Sequence, residues 1–287
     1  MEWGIRLKER LDVLLVKRGL VNSRQQAKAV IMAGEVFVNG EREDKAGTTF
    51  DEKVDIVVKS NKQKYVSRGG FKLEKAINCW PIDLKDKICM DIGSSTGGFT
   101  DCMLQNGASK VYAVDVGTNQ LAWSLRSNEK VVSMEKTNIR YLTSDQVNDK
   151  IQFASVDVSF ISLCKILVPA RELLEDKAQM VCLIKPQFEA GREKVGKKGV
   201  VRDKKVHVEV IEQVMLFAYN NKFDILDINF SPIKGPEGNI EYLIYIQKNS
   251  EKQESSYNWD EIKTITDMES ICNKVIQITD EAHNSLD

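Results

Sequence analysis

The stretch MDIGSSTGGFTD, residues 90 to 101, joins an apolar strand to a helix through a loop rich in glycine and hydroxyl side chains. Backbone N–H groups at the start of such a helix point at a bound ligand, and glycines let the ligand approach closely. The spacing is neither the G-x-G-x-x-G of dinucleotide-binding folds nor a P-loop with its lysine. Asp115 ends the next strand, 24 residues after Asp91, near the ~20-residue spacing of a carboxylate that binds ribose hydroxyls. The stretch predicts an adenosine site, and a glycine-rich connection without a ligand is the alternative.

Apolar strands and helical patterns alternate around this loop. The strands are expected near residues 87–91, 110–114, 131–134, 151–156, 179–184, 223–230 and 240–246. This alternation predicts an α/β fold with a doubly wound, mostly parallel sheet that binds ligands at the carboxyl ends of its strands. The segment SPIKGPEGN before the last strand is too short for a crossover helix. We therefore expect the final strand to be antiparallel to its neighbour.

The hydropathy pattern and turn residues of residues 1–58 predict a small, separate α+β unit of two helices and a hairpin. Ser23 is placed to cap the second helix, Gly34 to end it, and Asn39-Gly40 is typical of a type I′ hairpin turn. The buried face of that helix is expected to contain Ala27, Val30 and Ile31.

The polar faces of this unit carry several basic side chains. They are Arg10, Lys17, Arg18, Arg24 and Lys28. Solvated helix surface is one interpretation. However, the pattern S-R-x-x-A-x-x-x-I-x-x-G-x-V-x-V-N-G, preceded by L-D-x-x-L, resembles the RNA-binding domain shared by a small-subunit ribosomal protein and several RNA-modifying enzymes. The resemblance implies an L-shaped basic surface for structured RNA, with Arg24 and Lys28 as its first contacts.

Charge and hydropathy divide the rest of the chain. Residues 59–66 are polar and basic and predict a linker, and the globular domain that follows is expected over 67–248. Residues 249–287 hold nine acidic residues and three lysines, so the remainder of the chain is net positive although the whole has a net charge of −1. The tail has apolar residues at helical spacing: Ile262, Ile265, Met268, Cys272, Val275 and Ile276. We expect a helix packed on its own domain, with partner binding as the alternative.

Few side chains suit metal binding or histidine-dependent nucleophilic catalysis. The six cysteines stand singly, and the two histidines are His207 and His283. We expect no metal site, and we expect His207 on a helix surface. No apolar run approaches the ~20 residues that a bilayer requires, and the N-terminus lacks the apolar region of a signal peptide. A cytoplasmic protein is expected.

A lysine directly follows the apolar run MVCLI, residues 180–184. Lys185 therefore lies at the carboxyl end of the fifth strand, the sheet edge at which the glycine-rich loop also opens. The same topology brings Asp157, Glu241 and Lys72 to that edge. Surface ion pairs are the alternative explanation for four such charges.

Residues 66–248 resemble the FtsJ-like ribose methyltransferases, and the whole chain resembles the TlyA (haemolysin A) family of ribosomal RNA 2′-O-methyltransferases. SRGGFKL, DIGSSTGGFTD, DVSFISL, KPQFEAG and GPEGNIEYL stand in that family's order. The resemblance implies a Rossmann-like sheet, a Lys-Asp-Lys-Glu catalytic tetrad of Lys72, Asp157, Lys185 and Glu241, and S-adenosyl-L-methionine as cofactor. It also implies the following cofactor-binding residues: Asp91, Gly93, Ser94, Ser95, Thr96, Gly97, Gly98, Phe99, Asp115 and Asn138.

The methyl acceptor that the resemblance implies is a ribose 2′-hydroxyl. The substrate is therefore expected to be RNA, because DNA has no 2′-hydroxyl. The expected partner is ribosomal RNA or a ribosomal subunit, with neither DNA nor a membrane, and the family suggests cytidine. Lys64, Arg68, Lys197 and Lys198 flank the site and are expected to contact phosphates. For the lysine-rich loop around 197 and 198, a solvated loop is an equal alternative.

Three other functions compete with this one. A non-catalytic ribosome-binding scaffold is disfavoured by the complete tetrad. A membrane-acting haemolysin lacks support in an export signal, a membrane span or an amphipathic barrel pattern. An oxidoreductase on a similar sheet is disfavoured by the missing dinucleotide fingerprint.

Overall fold

The computed structural model of the protein describes residues 8–21, 23–58 and 64–286, and it divides into two compact units, 1–63 and 64–287. Residues 59–63 of the predicted linker lie outside the described part. Within the described ranges, no helix is long and apolar enough to cross a membrane.

The described residues of the first unit form two helices and five short strands. They are β1 (Lys8–Arg10), α1 (Leu11–Lys17), α2 (Arg24–Met32), β2 (Val36–Val38), β3 (Glu41–Arg42), β4 (Thr49–Asp51) and β5 (Ile56–Val58). Ser23 caps α2 as predicted, because its Oγ accepts a hydrogen bond from the Gln26 N–H at 3.2 Å. Asn39 and Gly40 both have positive φ, as a type I′ turn requires. The strand β1 and its antiparallel pairing with β4 were not predicted.

The second unit is built on a seven-stranded sheet. Its strands are β6 (Ile88–Ile92), β7 (Lys110–Val114), β8 (Val131–Met134), β9 (Ile151–Val156), β10 (Leu174–Ile184), β11 (Phe223–Phe230) and β12 (Tyr242–Lys248). Their order is β11-β12-β10-β9-β6-β7-β8. The strands β6 to β10 pair in parallel, and β12 is antiparallel to both β10 and β11. The predicted antiparallel final strand is therefore confirmed, and it lies inside the sheet rather than at its edge.

Helices cover both faces of this sheet. They are α3 (Gly70–Cys79), α4 (Gly98–Gln105), α5 (Trp123–Arg126), α6 (Leu167–Leu173), α7 (Pro186–Glu189), α8 (Lys204–Asn220), α9 (Trp259–Lys263) and α10 (Thr266–Leu286). Successive strand residues face opposite sides, so Met90 and Cys182 pack with α6, α8 and α10, whereas Cys89 and Val181 pack with α3 and α4. The α/β prediction is confirmed.

The acidic tail forms α9 and α10, and α10 packs on α8 and β11. The prediction of a helix on its own domain is confirmed. Met268, Cys272 and Val275 are buried as expected. Ile276 was wrongly assigned to the buried face: its side chain is 62% exposed, because the residue after Val275 lies about 100° further around the helix.

The prediction that His207 lies on a helix surface is wrong. It is buried on α8 together with Val210, Ile211 and Val214, at the i, i+3, i+4, i+7 spacing of a core-facing stripe. Its Nδ1 lies 2.7 Å from the hydroxyl of Tyr242, so hydrogen bonding satisfies the polar ring inside the core.

Candidate active site

Asp91 fixes the loop between β6 and α4. Its carboxylate accepts hydrogen bonds from the Thr100 N–H at 2.9 Å, the Thr100 hydroxyl at 2.7 Å and the Ser155 hydroxyl at 3.2 Å. Burial raises the pKa of Asp91 to about 7, while the bonds from Thr100 and Ser155 act in the opposite direction. The contacts tie the first turn of α4 to the strand, so residues 93–97 project beyond the carboxyl end of β6.

Two glycines of this loop stand where a side chain would collide with the backbone. Gly93 has a φ of +85°, and a Cβ there would lie 2.5 Å from the carbonyl oxygen of Asp157. At Gly98 a Cβ would lie 2.8 Å from the backbone nitrogen of Gly70. The loop therefore packs backbone to backbone against two neighbouring segments. Its N–H groups at Gly93 and Ser94 donate to the Val114 carbonyl, so they hold the loop in place rather than face a ligand.

Asp115, at the end of β7, lies beside the same loop. Its two oxygens accept hydrogen bonds from the N–H groups of Ser95 and Gly117, at 2.8 and 2.7 Å. It lines a cavity of about 420 Å³ together with Asn138, Ile139 and apolar side chains from β6 and β7. Apolar walls with a carboxylate at one end fit an adenosine group.

The four charged residues predicted for the tetrad lie next to one another. Lys185 Nζ is 2.5 Å from Asp157 Oδ1, and Lys72 Nζ is 3.7 Å from Asp157 Oδ2. Lys72 Nζ is also 2.5 Å from Glu241 Oε2. Lys185 donates a further hydrogen bond to the Ser159 hydroxyl at 3.1 Å, a partner that was not predicted. The chain of contacts therefore runs Lys185, Asp157, Lys72, Glu241.

The charged groups of this cluster are mostly buried, so each one strongly affects the ionisation of its neighbours. Lys72 and Lys185 are each 6% exposed, and Glu241 is fully buried. Burial by itself would lower the pKa of Lys72, but the charges of Asp157 and Glu241 outweigh it and hold the pKa above the ordinary value. These carboxylates therefore favour the ammonium form of Lys72. Glu241 Oε1 has no hydrogen-bond partner among the residues that the structure describes.

Lys72, Asp157 and Lys185 line a cavity of about 410 Å³, which Arg68, Ser94, Thr96 and Phe99 also line, whereas Glu241 is buried behind Lys72. This cavity shares residues with the one beside Asp115: Gly93, Ser95, Asp157 and Ser159. A donor held beside Asp115 and an acceptor held beside Lys185 would meet at these shared residues. Gly97, a predicted cofactor contact, is the N-cap residue of α4 with a φ of +96°, and a Cβ there would collide with the side chains of Leu121 and Leu125.

The basic side chains predicted to bind RNA in the first unit are mostly engaged with other groups. Arg10 and Arg24 both contact the carboxylate of Asp12, at 2.9 and 2.8 Å. Lys17 pairs with Glu52 at 2.5 Å. Arg18 donates to backbone carbonyls, including that of Val54 at 2.6 Å, and Lys28 is exposed. The structure thus groups Arg10 with Arg24, and Lys17 and Arg18 with the segment that contains β4.

In the second unit the predicted RNA contacts are dispersed. Lys64 forms an ion pair with Glu74, and Arg68 lines the catalytic cavity. Lys197 and Lys198 are exposed in the loop between α7 and α8.

Comparisons with known proteins agree with this architecture. Residues 65–248 match the FtsJ-like methyltransferase family, and residues 9–56 match the S4 domain. YqxC of Bacillus subtilis, named provisionally as an rRNA methyltransferase, is 50% identical over 280 residues that cover 97% of this chain and 95% of YqxC. TlyA of Mycobacterium tuberculosis, named a 16S/23S rRNA (cytidine-2′-O)-methyltransferase, is 38% identical over 85% of this chain and 91% of its own.

A solved structure from Streptococcus thermophilus, named provisionally as a hemolysin, shares 46% identity. The superposition has a TM-score of 0.71 and covers 98% of this chain and 97% of that one. The chain therefore belongs to the FtsJ-like methyltransferase family, whose cofactor is S-adenosyl-L-methionine, and carries an S4 domain ahead of its methyltransferase domain.

Proposed function

We propose that the protein methylates a 2′-hydroxyl of ribosomal RNA, with cytidine as the target nucleotide and S-adenosyl-L-methionine as the methyl donor. The observation that carries this proposal is the buried chain from Lys185 to Glu241 at the junction of two cavities. The activity named for the M. tuberculosis relative and the S4 domain support an RNA substrate. RNA is favoured over DNA because the proposed acceptor exists only in RNA.

The cavity beside Asp115 suits the donor. Asp115 would bind the ribose hydroxyls, Asn138 and Ile139 would contact the adenine, and the loop around Gly93 would hold the amino-acid end. When bound, S-adenosyl-L-methionine supplies an activated methyl group with a neutral leaving group.

Lys185, as a neutral amine, would orient the acceptor hydroxyl and take its proton as the methyl group is transferred to the oxygen. A general base placed in this way contributes about 10²–10⁴-fold to the rate, and orientation of the reactants can contribute roughly 7–11 kcal/mol. Asp157, 2.5 Å from Lys185, would stabilise the ammonium that forms. Because Lys72 lies between Asp157 and Glu241 and contacts both, it would hold the two carboxylates in place.

Phe160 offers a surface for the target base. Its side chain is 91% exposed although it follows Asp157 by only three residues, and its φ is +63°. The ring lies 5.0 Å from that of Phe188 and at the rim of the cofactor cavity. A non-glycine residue with positive φ is strained, and stacking of a base on an exposed aromatic ring contributes about 1–3 kcal/mol. We therefore assign Phe160 to base stacking.

The remaining predicted contacts would bind phosphates of the RNA outside the target nucleotide. Arg24 and Lys28 are the S4-domain side chains proposed to contact phosphates. Arg68, which lines the catalytic cavity, and the exposed Lys197 and Lys198 are the proposed contacts in the methyltransferase domain.

The test is to incubate the protein with radiolabelled S-adenosyl-L-methionine and unmethylated small or large ribosomal subunits. We expect label in ribose, recovered as 2′-O-methylcytidine after nuclease digestion. Lys185→Ala should abolish it. Lys150→Ala, an exposed lysine before β9 at the opposite sheet edge, is the matched control. Label on a base, or none while the cofactor binds, would contradict the proposal, and the second result would favour a non-catalytic RNA-binding role.

A further inference from the structure

A second, smaller cavity adjoins the catalytic one. Its volume is about 190 Å³, and it is formed by residues 200–202, the loop from Lys234 to Ile240 and the last turn of α10. Lys234 lines both this cavity and the catalytic cavity. Ligand pockets for whole small molecules are usually about 300–1,000 Å³, so this one has room for a single small group.

Buried hydrogen bonds fix the walls of this cavity. The buried Asn239 accepts from the Val201 N–H at 3.2 Å and donates to the Gly199 carbonyl at 2.9 Å. The Gly235 N–H donates to the Asn239 carbonyl at 2.9 Å. These bonds tie the two loops to each other, so the backbone that forms the cavity walls is already fixed. Binding a ligand would therefore cost little entropy for ordering these loops.

The C-terminal helix contributes one wall. His283, which is mostly buried, lines the cavity, and its ring centroid lies 4.8 Å from that of His207. His207 Nε2 lies 3.0 Å from the carbonyl oxygen of Val201. Because a carbonyl only accepts, this nitrogen carries the proton and donates. The same contacts therefore anchor the loop around Val201 and bring α10 to the cavity.

The charges around the cavity suit an anion. Of the described residues, Arg202, Lys234 and His283 line it together with one carboxylate, that of the exposed Glu237. Arginine forks match phosphate oxygens in pairs, and lysine binds them as a point charge. The cavity therefore combines two cationic side chains, walls held by hydrogen bonds and the size of one phosphate group.

We propose that this cavity binds a phosphodiester group of the RNA strand beside the target ribose, with Arg202 and Lys234 as its ligands. The inference rests on the proposed function, because it takes the strand in the catalytic cavity to be RNA. It gives the acidic C-terminal extension a role, since His283 completes a wall of the cavity.

The test compares Arg202→Gln, Lys234→Gln and the double variant with Lys150→Gln, using unmethylated ribosomal subunits. Affinity is measured as a function of salt, and methylation as kcat and KM. We expect the double variant to raise KM for the subunit about 5–20-fold, with a smaller change in kcat, and the slope of log affinity against log salt to fall by about 0.7–0.9, as for one phosphate contact. Glu237→Gln should lower KM.

A double variant with the KM and salt slope of Lys150→Gln would overturn the proposal. So would a lower kcat with an unchanged slope, because Lys234 would then act on the reaction and not on a phosphate. Wild-type protein that binds subunits without methylating them would refute the proposed function, and the salt slopes would still report on the phosphate site. Cofactor affinity and thermal unfolding of each variant show that it is folded.

Discussion

The catalytic edge of the sheet and the basic surface of the S4 domain use charge in opposite ways. At the sheet edge, two lysines that are 6% exposed alternate with carboxylates in one chain of contacts. In the S4 domain, the side chains of Arg10 and Arg24 are 49% and 58% exposed and share the buried carboxylate of Asp12. The first arrangement holds each charged group in one geometry. The second holds each guanidinium through its contact with Asp12, while about half of each arginine side chain stays in solvent.

Energetics explain the difference. Burying an ion pair costs several kcal/mol per ion before its attraction is counted, so such a pair is maintained only with good geometry. Exposed pairs contribute about 0–1 kcal/mol and can exchange partners. The comparison predicts large effects for substitutions at the sheet edge and small ones in the S4 domain.

Lys185→Ala should produce the largest effect. We expect kcat for RNA methylation to fall about 10³–10⁴-fold, because both orientation and proton acceptance are lost. Cofactor affinity, measured by calorimetry, should stay within about twofold because the walls beside Asp115 are intact. Loss of cofactor binding would show that Lys185 belongs to the donor site.

Glu241→Ala should destabilise the second unit by about 3–5 kcal/mol, because it leaves the buried Lys72 with Asp157 alone, at 3.7 Å. Urea unfolding measures this change. Glu129→Ala, at an exposed position, is the control and should change the free energy of unfolding by less than about 0.5 kcal/mol. Equal effects at both positions would show that the buried ion pair of Glu241 contributes no more stability than an exposed carboxylate.

Gly93→Ala should cost about 2–3 kcal/mol of stability and weaken cofactor binding at least tenfold. Positive φ accounts for about 1–2 kcal/mol, and the clash with the Asp157 carbonyl supplies the rest. Gly199→Ala is the matched control, since its φ is +73° and nothing lies within 4 Å of the added Cβ. The control should show the smaller stability loss and normal cofactor affinity.

The stability of the S4 domain should fall slightly at acidic pH because of Asp12. Hydrogen bonding from Arg10 lowers the pKa of Asp12 to about 2, from an ordinary 3.8. A depressed carboxyl pKa stabilises the folded state above the unfolded value, so this contribution is complete above about pH 4 and is lost between pH 4 and 2. We expect the Asp12 carboxylate to contribute about 1–2 kcal/mol to the free energy of unfolding. This is less than the full pKa shift would give, because the two arginines are half-exposed.

Carboxyl-carbon NMR of the intact protein measures this titration directly. The stability difference between wild type and Asp12→Asn, followed by amide exchange in α1 and α2, should shrink over the same pH range. A titration near the ordinary value would show that the arginines do not hold Asp12.

Strand positions and the charged residues at the sheet edge were predictable because each follows from local pattern and parallel-sheet topology. The observed strand β6 (Ile88–Ile92) differs from its predicted limits by one residue at each end. The place of β12 between β10 and β11 was not predictable, since sheet order depends on packing that hydropathy patterns do not record. Phe160 was missed because an aromatic in an apolar run is usually a core residue, and its exposure comes from a backbone conformation.

The partners of the basic side chains in the S4 domain could not be predicted from the sequence either. Arg10, Lys17, Arg18 and Arg24 were identified by charge and helix face, whereas their partners depend on tertiary contacts such as the one to Asp12. The roles of the predicted site residues stay predictions until the substitutions above are measured.

The interior position of β12 makes completion of the sheet a late event in the synthesis of the chain. Glu241 directly precedes this strand, and Lys72, its partner, is translated 169 residues earlier. Since synthesis proceeds from the N-terminus, a nascent chain that ends before β12 has neither the complete sheet nor the buried partner of Lys72. An S4 domain already released from the synthesising ribosome would then be joined to a methyltransferase domain whose sheet is still unfinished.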